Sequence, residues 1–356
     1  MLFRSESADR ELQATMVAGL KQLALELCES AAVSLEEIVD VVICGNTGMH
    51  HLLLGLPVAS LARAPFVASS TSASDIKARE LGLAFLPGAY VHLLPNVGGF
   101  VGGDHVASLL ATQHRWAEAP TIIMDIGTNT EISLVRDGEI STVSCPSGPA
   151  LEGGNISCGM RAAKGAIERV AYVNERIECQ LIGDGPAVGL CGSGVLDAIA
   201  SLHRAGIIDG RGRIQFGHPA VEEVNGSRQC RLTEQVVLTQ DDVRSVQLAK
   251  AAIRSGVDIL LSDAGLDEQS IERFVIAGAF GVYVDILNAL EIGLFPDLPE
   301  ERFEQVGNAA GVGARMALIS TAVRMQATEL GARCQHIELN NQQDFQKAFL
   351  NRIPLK

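Results

Sequence analysis

The stretch MDIGTNTEISL, residues 124–134, follows an apolar run and puts an Asp, a Gly and several polar side chains between two β-type segments. A hairpin of this form directs consecutive backbone N–H groups towards a phosphate chain. Gly127 lets phosphate oxygens approach without a Cβ clash, and Thr128 and Thr130 can donate hydroxyl hydrogen bonds to them. Asp125, at the strand end, is placed to hold Mg²⁺ through water. Ordinary hairpins also use Asp and Gly, so the stretch alone leaves a plain turn equally open.

Composition limits what this chain can bind. Its 356 residues are 47% hydrophobic, enough for two domains with their own cores. The net charge of -14 repels phosphate backbones and anionic lipids, so we expect neither nucleic acid nor membrane as a partner. The longest apolar stretch, 274–295, contains Asp285, Asn288 and Glu291, and the polar N-terminus does not resemble a signal peptide. We therefore expect a cytoplasmic protein.

The eight cysteines are dispersed, and none forms a Cys-x-x-Cys pair. Local zinc or iron–sulfur knuckles are therefore excluded, and buried reduced thiols are the simplest interpretation. Cys158 is a candidate redox thiol, with a structural role as the favoured alternative. A cluster ligated by single cysteines from several segments, or across a dimer, stays open.

Periodicity predicts an α/β protein with mixed sheets. Helices are expected at 8–31, 47–55, 104–116, 159–168, 192–205, 240–262 and 307–320, and strands at 38–46, 89–95, 121–125, 131–136, 139–145 and 273–280. Asp137-Gly138 predicts a two-residue hairpin turn, and Thr239 with Asp242 predicts a capping box. A final strand and helix are expected within 336–350. Glycine clusters follow most of the strands, which is typical of chains whose backbone amides approach a ligand, although tight helix packing gives the same pattern.

The order of these features resembles the superfamily of actin, sugar and acetate kinases and heat-shock chaperones (ASKHA). The hairpin MDIGTNTEISL corresponds to the second phosphate loop of that superfamily. The stretch LLPNVGGFVGGDHVASLLA (93–111) corresponds to its first hinge segment, and VIAGAFG (275–281) corresponds to its adenosine turn. The resemblance implies two ribonuclease-H-like halves with mixed sheets. The first half is incomplete, because only a helix precedes IVDVVICGN (38–46). We expect a partial first half-domain at 1–116, a second at 117–330 and a C-terminal strand and helix at 331–356.

A narrower resemblance rests on spaced stretches that run from about residue 38 to the C-terminus. They are similar to the reductive activators of corrinoid proteins, and comprise GNTGMHHLLLGLP (45–57), APFVAS (64–69), LLPNVGGFVGGDH (93–105), DIGTNTEISL (125–134), SGPALEGGNISCGMRAAKGAIE (147–168), GLCGSGVLDAIA (189–200) and HIELNNQQDFQKAF (336–349). This family uses ATP to reduce Co(II) to Co(I) in a corrinoid protein of a methyltransferase system. Its members carry an N-terminal [2Fe–2S] domain, for which no cysteine spacing exists here. We therefore expect the C-terminal piece of a longer activator, with a short natural paralogue as the alternative.

The resemblance assigns roles to particular residues. Asp125 is the expected Mg²⁺ anchor, and Asp104, which starts the hinge helix, is the candidate for orienting the attacking water, although a helix-capping Asp would look the same. The run around Glu152 and Arg161 is expected to form the face that meets the nucleotide or the partner, with a tight glycine-rich loop on a helix as an equally open alternative. The expected ATP-binding residues are Gly127, Thr128, Asn129, Thr130, Gly153, Gly154, Gly192, Ser193, Gly194, Gly278, Ala279, Phe280 and Asn308.

The expected partner is a corrinoid protein in its Co(II) form, and the expected assembly is a homodimer. Two other functions stay open from the sequence. One is an ATP-dependent activator of another low-potential electron-transfer target, and the other is a non-catalytic nucleotide-sensing docking module. The chain is expected to be the ATPase part of the activator, with a fragment that is inactive without the N-terminal region as the alternative, because the first phosphate hairpin is missing from it.

Overall fold

The computed structural model describes residues 6–278, 280–342 and 344–356, with side chains from residue 10 onwards. The helices are α1 (Glu6–Ala31), α2 (Thr47–Leu54), α3 (Gly103–Trp116), α4 (Gly192–Arg204), α5 (Gln240–Asp263), α6 (Ile286–Glu291), α7 (Ala309–Ile319), α8 (Thr321–Arg333) and α9 (Phe345–Arg352). The strands are β1 (Asp40–Ile43), β2 (Ser74–Lys77), β3 (Tyr90–Leu93), β4 (Thr121–Ile126), β5 (Thr130–Arg136), β6 (Glu139–Cys145), β7 (Ala166–Val173), β8 (Arg176–Leu181), β9 (Gly189–Leu190), β10 (Val221–Val224), β11 (Ser227–Arg231), β12 (Val237–Thr239), β13 (Arg273–Ala277), β14 (Phe303–Gly307) and β15 (Cys334–His336).

The chain divides into two compact units. The first combines Met1–Ala117 with Glu139–Ser141 and Asn308–His336, and the second comprises Glu118–Gly138, Thr142–Gly307 and Ile337–Lys356. The fold is α/β with mixed sheets, as expected. None of the described helices is both long and apolar enough to cross a membrane.

In the first unit a small sheet has the strand order β1-β3-β2, with β1 parallel and β2 antiparallel to β3. Helix α3 packs against α7 and α8. Gly313 makes this packing close, because a Cβ there would lie 2.1 Å from the carbonyl oxygen of Ala107. The helix predicted at 307–320 is thus confirmed, and its small residues allow the close approach to α3.

Helix α1 confirms the helix predicted at 8–31. Its sequence predicts a buried stripe at helical spacing, formed by Leu12, Met16, Leu20, Leu23 and Leu27, but the packing face of the structure differs from that stripe. Leu12, Met16 and Leu20 pack on apolar neighbours, whereas Leu23 and Leu27 are 57% and 70% exposed. The contact face instead continues through Ala24 and Cys28, which are buried. Residues four apart stay aligned along a helix, so the buried stripe follows that spacing into smaller side chains.

The second unit contains five neighbouring strands of a six-stranded mixed sheet, in the order β14-β13-β4-β5-β6. Strand β4 is antiparallel to β5 and parallel to β13, which is in turn parallel to β14. Asp137 and Gly138 both have positive φ, 51° and 82°, as the predicted hairpin turn requires. The predicted strands at 121–125, 131–136, 139–145 and 273–280 are confirmed, the last with a shorter extent.

The region between β6 and α5 departs from the sequence expectation. The helix predicted at 159–168 is wrong: the chain turns at Gly165, with φ of 87°, and continues as strand β7, which pairs with β8 and β9. Ile167 and Val170 are buried there, so pairing and packing of β-branched side chains override the helix propensity of the preceding alanines. The antiparallel strands β10, β11 and β12 were also not predicted.

Helices α4 and α5 cover the core of the second unit. Helix α5 starts at the predicted capping box: the Thr239 side chain accepts from the backbone of Asp242, and the Asp242 side chain accepts from the backbone of Thr239. The C-terminal helix α9 packs against α5. Buried Lys250 of α5 donates to the carbonyl oxygens of Arg352 and Pro354 at 2.6 Å each, and so holds the end of the chain.

Candidate functional site

The hairpin between β4 and β5 forms the centre of the candidate site. Asp125 lies opposite Glu131 and Ile126 opposite Thr130, so Gly127, Thr128 and Asn129 form the tip. The tip residues Thr128 and Asn129 are exposed, while Asp125 is half-buried at the end of its strand. This geometry presents a short run of backbone amides with one carboxylate beside it.

The glycine turn after β13 lies directly against this carboxylate. Strand β13 is parallel to β4, with Ala277 opposite Asp125, so the next residue, Gly278, reaches the hairpin. A Cβ on Gly278 would lie 3.0 Å from Oδ1 of Asp125 and 2.5 Å from the carbonyl oxygen of Ile126. Gly278 also has φ of 95°, which favours glycine. Two segments far apart in sequence, both predicted to bind nucleotide, therefore meet at the same sheet end.

The N-terminus of α4 joins the same region through Phe280. A Cβ on Gly192 would lie 2.6 Å and 2.8 Å from two atoms of the Phe280 ring, and 1.9 Å from the carbonyl oxygen of Leu151. The N-cap residue, Cys191, makes no side-chain capping hydrogen bond. Gly192, Ser193 and Gly194 are buried at this helix start, and Ala279 lies outside the described residues.

A buried polar cluster supports α4 one turn further on. Asp197 is 3% exposed and lies 3.4 Å from Nη1 of Arg169, and it accepts a hydrogen bond from Nδ2 of Asn288 at 3.0 Å. Burial raises the pKa of Asp197, an effect that both partners oppose. The cluster joins α4, β7 and α6, and so fixes the helix whose first turn carries Ser193.

The glycine-rich loop 147–160 contacts the hairpin tip. The hydroxyl of Thr128 donates to Oε2 of Glu152 at 2.8 Å. The loop folds closely on itself, because a Cβ on Gly159 would lie 1.9 Å from the carbonyl oxygen of Gly153. Gly154 is equally confined, since its Cβ would lie 2.7 Å from Cβ of Pro149. The loop thus supplies a second carboxylate beside the hairpin, and its glycines have a packing role of their own.

Thr130 has a supporting position. It is fully buried, and its hydroxyl lies 2.9 Å from that of Ser147, which also contacts the carbonyl oxygens of Gly127 and Thr128 at 3.2 Å and 3.3 Å. The hydroxyls of Thr130 and Ser147 thus stabilise the conformation of the hairpin. Ser147 was not singled out from the sequence, because no local pattern connects it with a turn that lies two strands earlier.

Two further candidate residues lie in the first unit. Asp104 is in the first turn of α3, where its Oδ1 accepts from the backbone N–H of His105 at 2.9 Å. The N-cap of α3 is Gly102, so Asp104 is not the capping residue. Asn308 caps α7, with Oδ1 accepting from the backbone N–H of Gly311 at 2.8 Å.

The stretches that carry the family resemblance in the first unit also pack on one another. Thr47 donates to the carbonyl oxygen of Gly98 at 2.6 Å. A Cβ on Gly102 would lie 2.4 Å from the carbonyl oxygen of Gly45, and one on Gly99 would lie 1.9 Å from that of Phe66. Glycines are therefore required at both positions by close backbone contact.

The residues around the hairpin fit a hydrated Mg²⁺. Magnesium is usually held by one or two carboxylates together with phosphate oxygens and water. Asp125 is such a carboxylate. It lies at the end of strand β4 and next to Gly278, which has no Cβ. In the described part of the chain no group of three or more His, Cys, Asp and Glu is arranged to hold an ion, so an all-protein metal cage is not expected there.

Comparisons with known proteins agree with this architecture. The family model of the RACo middle region matches residues 2–115, and that of the C-terminal domain of RACo, the ASKHA domain, matches residues 119–356. A solved reductive activator for corrinoid, iron-sulfur protein superposes with a TM-score of 0.90 at 33% identity, over 99% of this chain and 58% of that one.

Two curated relatives show the same coverage. The corrinoid activation enzyme RamQ of Eubacterium limosum is 36% identical over 349 residues, which are 93% of this chain and 58% of that protein. The [Co(II) methylated amine-specific corrinoid protein] reductase of Methanosarcina barkeri is 26% identical over 293 residues, 76% of this chain and 52% of that protein. The chain therefore spans a little more than half the length of these relatives.

Proposed function

The chain belongs to the family of reductive activators of corrinoid proteins, with the RACo middle region and C-terminal ASKHA domain, and from this premise we propose that it is the ATP-handling part of such an activator. In this proposal it binds ATP with Mg²⁺ and uses the nucleotide to promote reduction of Co(II) to Co(I) in a corrinoid protein. Electron transfer itself is not assigned to these residues, because their cysteines lack the spacing of a [2Fe–2S] domain.

The contact between Gly278 and Asp125 is the observation that carries the nucleotide proposal. It joins the hairpin and the glycine turn at one sheet end, within a single unit. The backbone amides of 127–129 and the N-terminus of α4 are then the donors for phosphate or ribose oxygens. Phe280, which lies against Gly192, is the proposed neighbour of the adenine ring.

The side chains of the hairpin have distinct proposed roles. Asp125 would hold the magnesium ion, which neutralises negative charge on the phosphates. Thr128 donates to Glu152 in the structure, so binding a phosphate oxygen with this hydroxyl requires it to exchange one acceptor for another. Thr130 and Ser147 keep the hairpin in shape through their buried hydroxyls. Glu152, already expected from the sequence to lie on the face that meets the nucleotide or the partner, accepts the hydrogen bond from the hairpin tip.

Asp104 remains a proposal for catalysis. Its carboxylate accepts a local backbone hydrogen bond in the first turn of α3, which fixes its position without using it as the N-cap. A carboxylate held in this way can orient a water for attack on a phosphate. We expect the wild type to hydrolyse ATP at a measurable rate. In Asp104→Asn this rate should fall, while the affinity for the nucleotide is retained. Nucleotide binding without turnover in the wild type would favour the nucleotide-sensing docking module instead.

Calorimetric titration of Mg·ATP tests the binding site. We expect Asp125→Asn to lose about 1–3 kcal/mol of binding free energy, the usual range for one charge-assisted contact. The matched control is Asp137→Asn, which removes the same charge from the opposite turn of β5, where the side chain is 89% exposed. Equal affinity in the wild type and Asp125→Asn would exclude Asp125 as the metal anchor.

We propose that the protein is located in the cytoplasm and forms a homodimer. All eight cysteines lie in the described part of the chain and none of them is in a disulfide, as is usual in a reducing compartment.

A further inference from the structure

Four arginines converge on a pocket in the second unit that has no part in the proposed nucleotide site. The pocket has a volume of about 620 Å³ and is lined by Arg211, Arg213, Arg228 and Arg244. They come from the loop after α4, from β11 and from α5. Asp241 is the acidic residue among the lining side chains.

Most of these guanidinium groups are unpaired. In the described part of the chain, the side chains of Arg211, Arg213 and Arg244 make no hydrogen bond or ion pair. Other arginines of the same unit behave differently: Arg169 and Arg254, for example, face carboxylates. In a chain with a net charge of -14, unpaired positive charges gathered in one concave site call for an anionic ligand.

The loop that carries Arg211 and Arg213 is rigidly built. Oδ1 of Asp209 accepts from the backbone N–H groups of both arginines at 2.9 Å. Nε2 of Gln247, a residue that is only 1% exposed, donates to the carbonyl oxygen of Arg211 at 3.1 Å. Gly212, with φ of 77°, sits so close to the Gln247 side chain that a Cβ would lie 2.3 Å away. The two arginines are therefore presented from a fixed turn.

Arg228 is fixed independently. Its Nη1 donates to the carbonyl oxygen of Ile214 at 2.7 Å, and its guanidinium carbon lies 4.1 Å from the centre of the Phe216 ring. These contacts hold the side chain on one wall of the pocket and leave its remaining N–H groups without an acceptor among the described residues. Side chains that are fixed before binding lose less entropy when a ligand arrives.

We propose that this pocket binds a small, multiply charged anion, and that a diphosphate group suits it best. Guanidinium groups match phosphate oxygens in pairs, and four of them exceed what one singly charged anion can neutralise. The volume is in the range of small-molecule sites. The pocket shares no residue with the proposed nucleotide site.

Titration of the full chain with inorganic pyrophosphate, without divalent metal and at low ionic strength, tests the proposal. We expect the double variant Arg211→Ala, Arg213→Ala to lose at least about tenfold in affinity, since each charge-assisted hydrogen bond contributes that much or more. Arg176→Ala, Arg315→Ala is the matched control: it removes the same charge from exposed arginines outside the pocket, and its affinity should stay within about twofold.

Three outcomes would overturn the proposal: no pyrophosphate binding to the wild type, equal weakening in both double variants, or loss of binding in Asp125→Asn with retention in the Arg211, Arg213 variant. The last result would place pyrophosphate at the β4–β5 hairpin. The single variant Arg244→Gln, on a different element, should weaken binding as well, so a local folding defect of the turn cannot imitate the effect.

A parallel titration with citrate distinguishes phosphate ligands from carboxylate ligands. If citrate binds more weakly than pyrophosphate, the pocket is assigned to phosphate groups. If citrate binds more tightly, the pocket is assigned to clustered carboxylates.

Discussion

Gly278 shows how one residue connects two distant segments. Its positive φ and its close contacts with Asp125 and Ile126 both exclude a side chain. We expect Gly278→Ala to lower the free energy of unfolding by about 1–3 kcal/mol, because strain of this kind has that cost, and to abolish measurable ATP binding. Chemical denaturation and calorimetry measure the two effects.

The matched control for Gly278→Ala is Gly210→Ala. Among the described residues, no heavy atom other than those of Gly210 and its two chain neighbours lies within 4 Å of the position that a Cβ would take at Gly210, and its backbone is outside the left-handed region. Its stability and nucleotide affinity should therefore equal those of the wild type. A Gly278→Ala protein that binds ATP normally would contradict the assignment of this turn to the nucleotide site.

His50 predicts a pH dependence of stability. It is 5% exposed, and within the described structure neither ring nitrogen has a hydrogen-bond partner. Burial, together with neighbouring His51, lowers the pKa of His50 from 6.5 to about 4. The unfolded chain binds a proton at His50 more readily than the folded chain does. The free energy of unfolding is therefore unaffected by His50 above pH 6.5 and decreases as the pH falls from 6.5 towards 4.

We expect this single group to remove about 2 kcal/mol from the free energy of unfolding between pH 8 and pH 5. His50→Leu replaces the ring with an apolar side chain of similar size that does not titrate, so the stability of this variant should fall less over that range. The exposed His114→Gln should keep the wild-type slope. Identical slopes in the wild type and His50→Leu, measured by urea unfolding at several pH values, would contradict this prediction.

At the scale of elements, the capping box of α5 does more than start a helix. Oδ2 of Asp242 accepts from the backbone of Thr239 at 2.8 Å, as the sequence predicted, but Oδ1 accepts from the backbone and hydroxyl of Ser157 at 2.7 Å and 3.0 Å. The cap thereby connects α5 to the glycine-rich loop that carries Glu152.

Asp242→Ala should therefore cost more than an ordinary N-cap. We expect a loss of about 2–4 kcal/mol in the free energy of unfolding, because it leaves several donors around a buried carboxylate without an acceptor. Asp241→Ala, at the exposed neighbour in the same helical turn, should change it by less than about 1 kcal/mol. Thermal or chemical unfolding measures both, and equal losses would show that Asp242 acts only through helix charge.

The strand elements show where local patterns are sufficient. Asp137-Gly138 predicted its hairpin, and Asn225-Gly226, both with positive φ, carries the same signal for the β10–β11 hairpin, which was overlooked. No comparable signal marks the β7–β8 hairpin, whose turn is formed by Asn174 and Glu175. The alanines before β7 favour a helix, and only pairing with β8 and β9 decides against it.

At the scale of the whole molecule, the proposed function predicts binding of a corrinoid protein. ATP can shift a binding equilibrium only if the nucleotide-bound and free states differ in affinity for the partner. We expect the chain to bind the Co(II) form of the corrinoid protein encoded beside it, with an affinity that ATP changes. Because the chain is acidic, this contact should not be a general electrostatic one and should survive moderate salt.

Calorimetry with the Co(II) and methyl-Co(III) forms, with and without Mg·ATP, measures this coupling. In Asp125→Asn the effect of ATP should need a higher ATP concentration, while the nucleotide-free affinity for the corrinoid protein stays in place, which separates nucleotide sensing from docking. Absence of binding to either form under all conditions would favour another electron-transfer target for the activator.

Self-association is the second prediction at this scale. The small sheet of the first unit ends in β1 on one side and β2 on the other, and sheet edges are frequent sites of pairing between chains. We expect light scattering to show a dimer at micromolar concentrations. A monomer across the whole concentration range would contradict the proposal of a homodimer.

The sequence by itself determined many of the elements, but not β7 or β10–β12, because helix periodicity, alternation in strands and turn chemistry are properties of neighbouring residues. The helices at 8–31, 104–116 and 240–262, the β4–β5–β6 meander and the Thr239 cap follow from such patterns. The phosphate-type hairpin and the glycine turn after β13 were likewise recognisable as motifs.

Only the tertiary structure decided which motifs meet. The parallel pairing of β13 with β4 brings Gly278 to Asp125, and folding of the glycine-rich loop brings Glu152 to Thr128. No local pattern in the sequence predicts that Arg211, Arg228 and Arg244 line one pocket. Contacts between distant segments depend on strand order and on the close packing of whole elements, which no local pattern encodes.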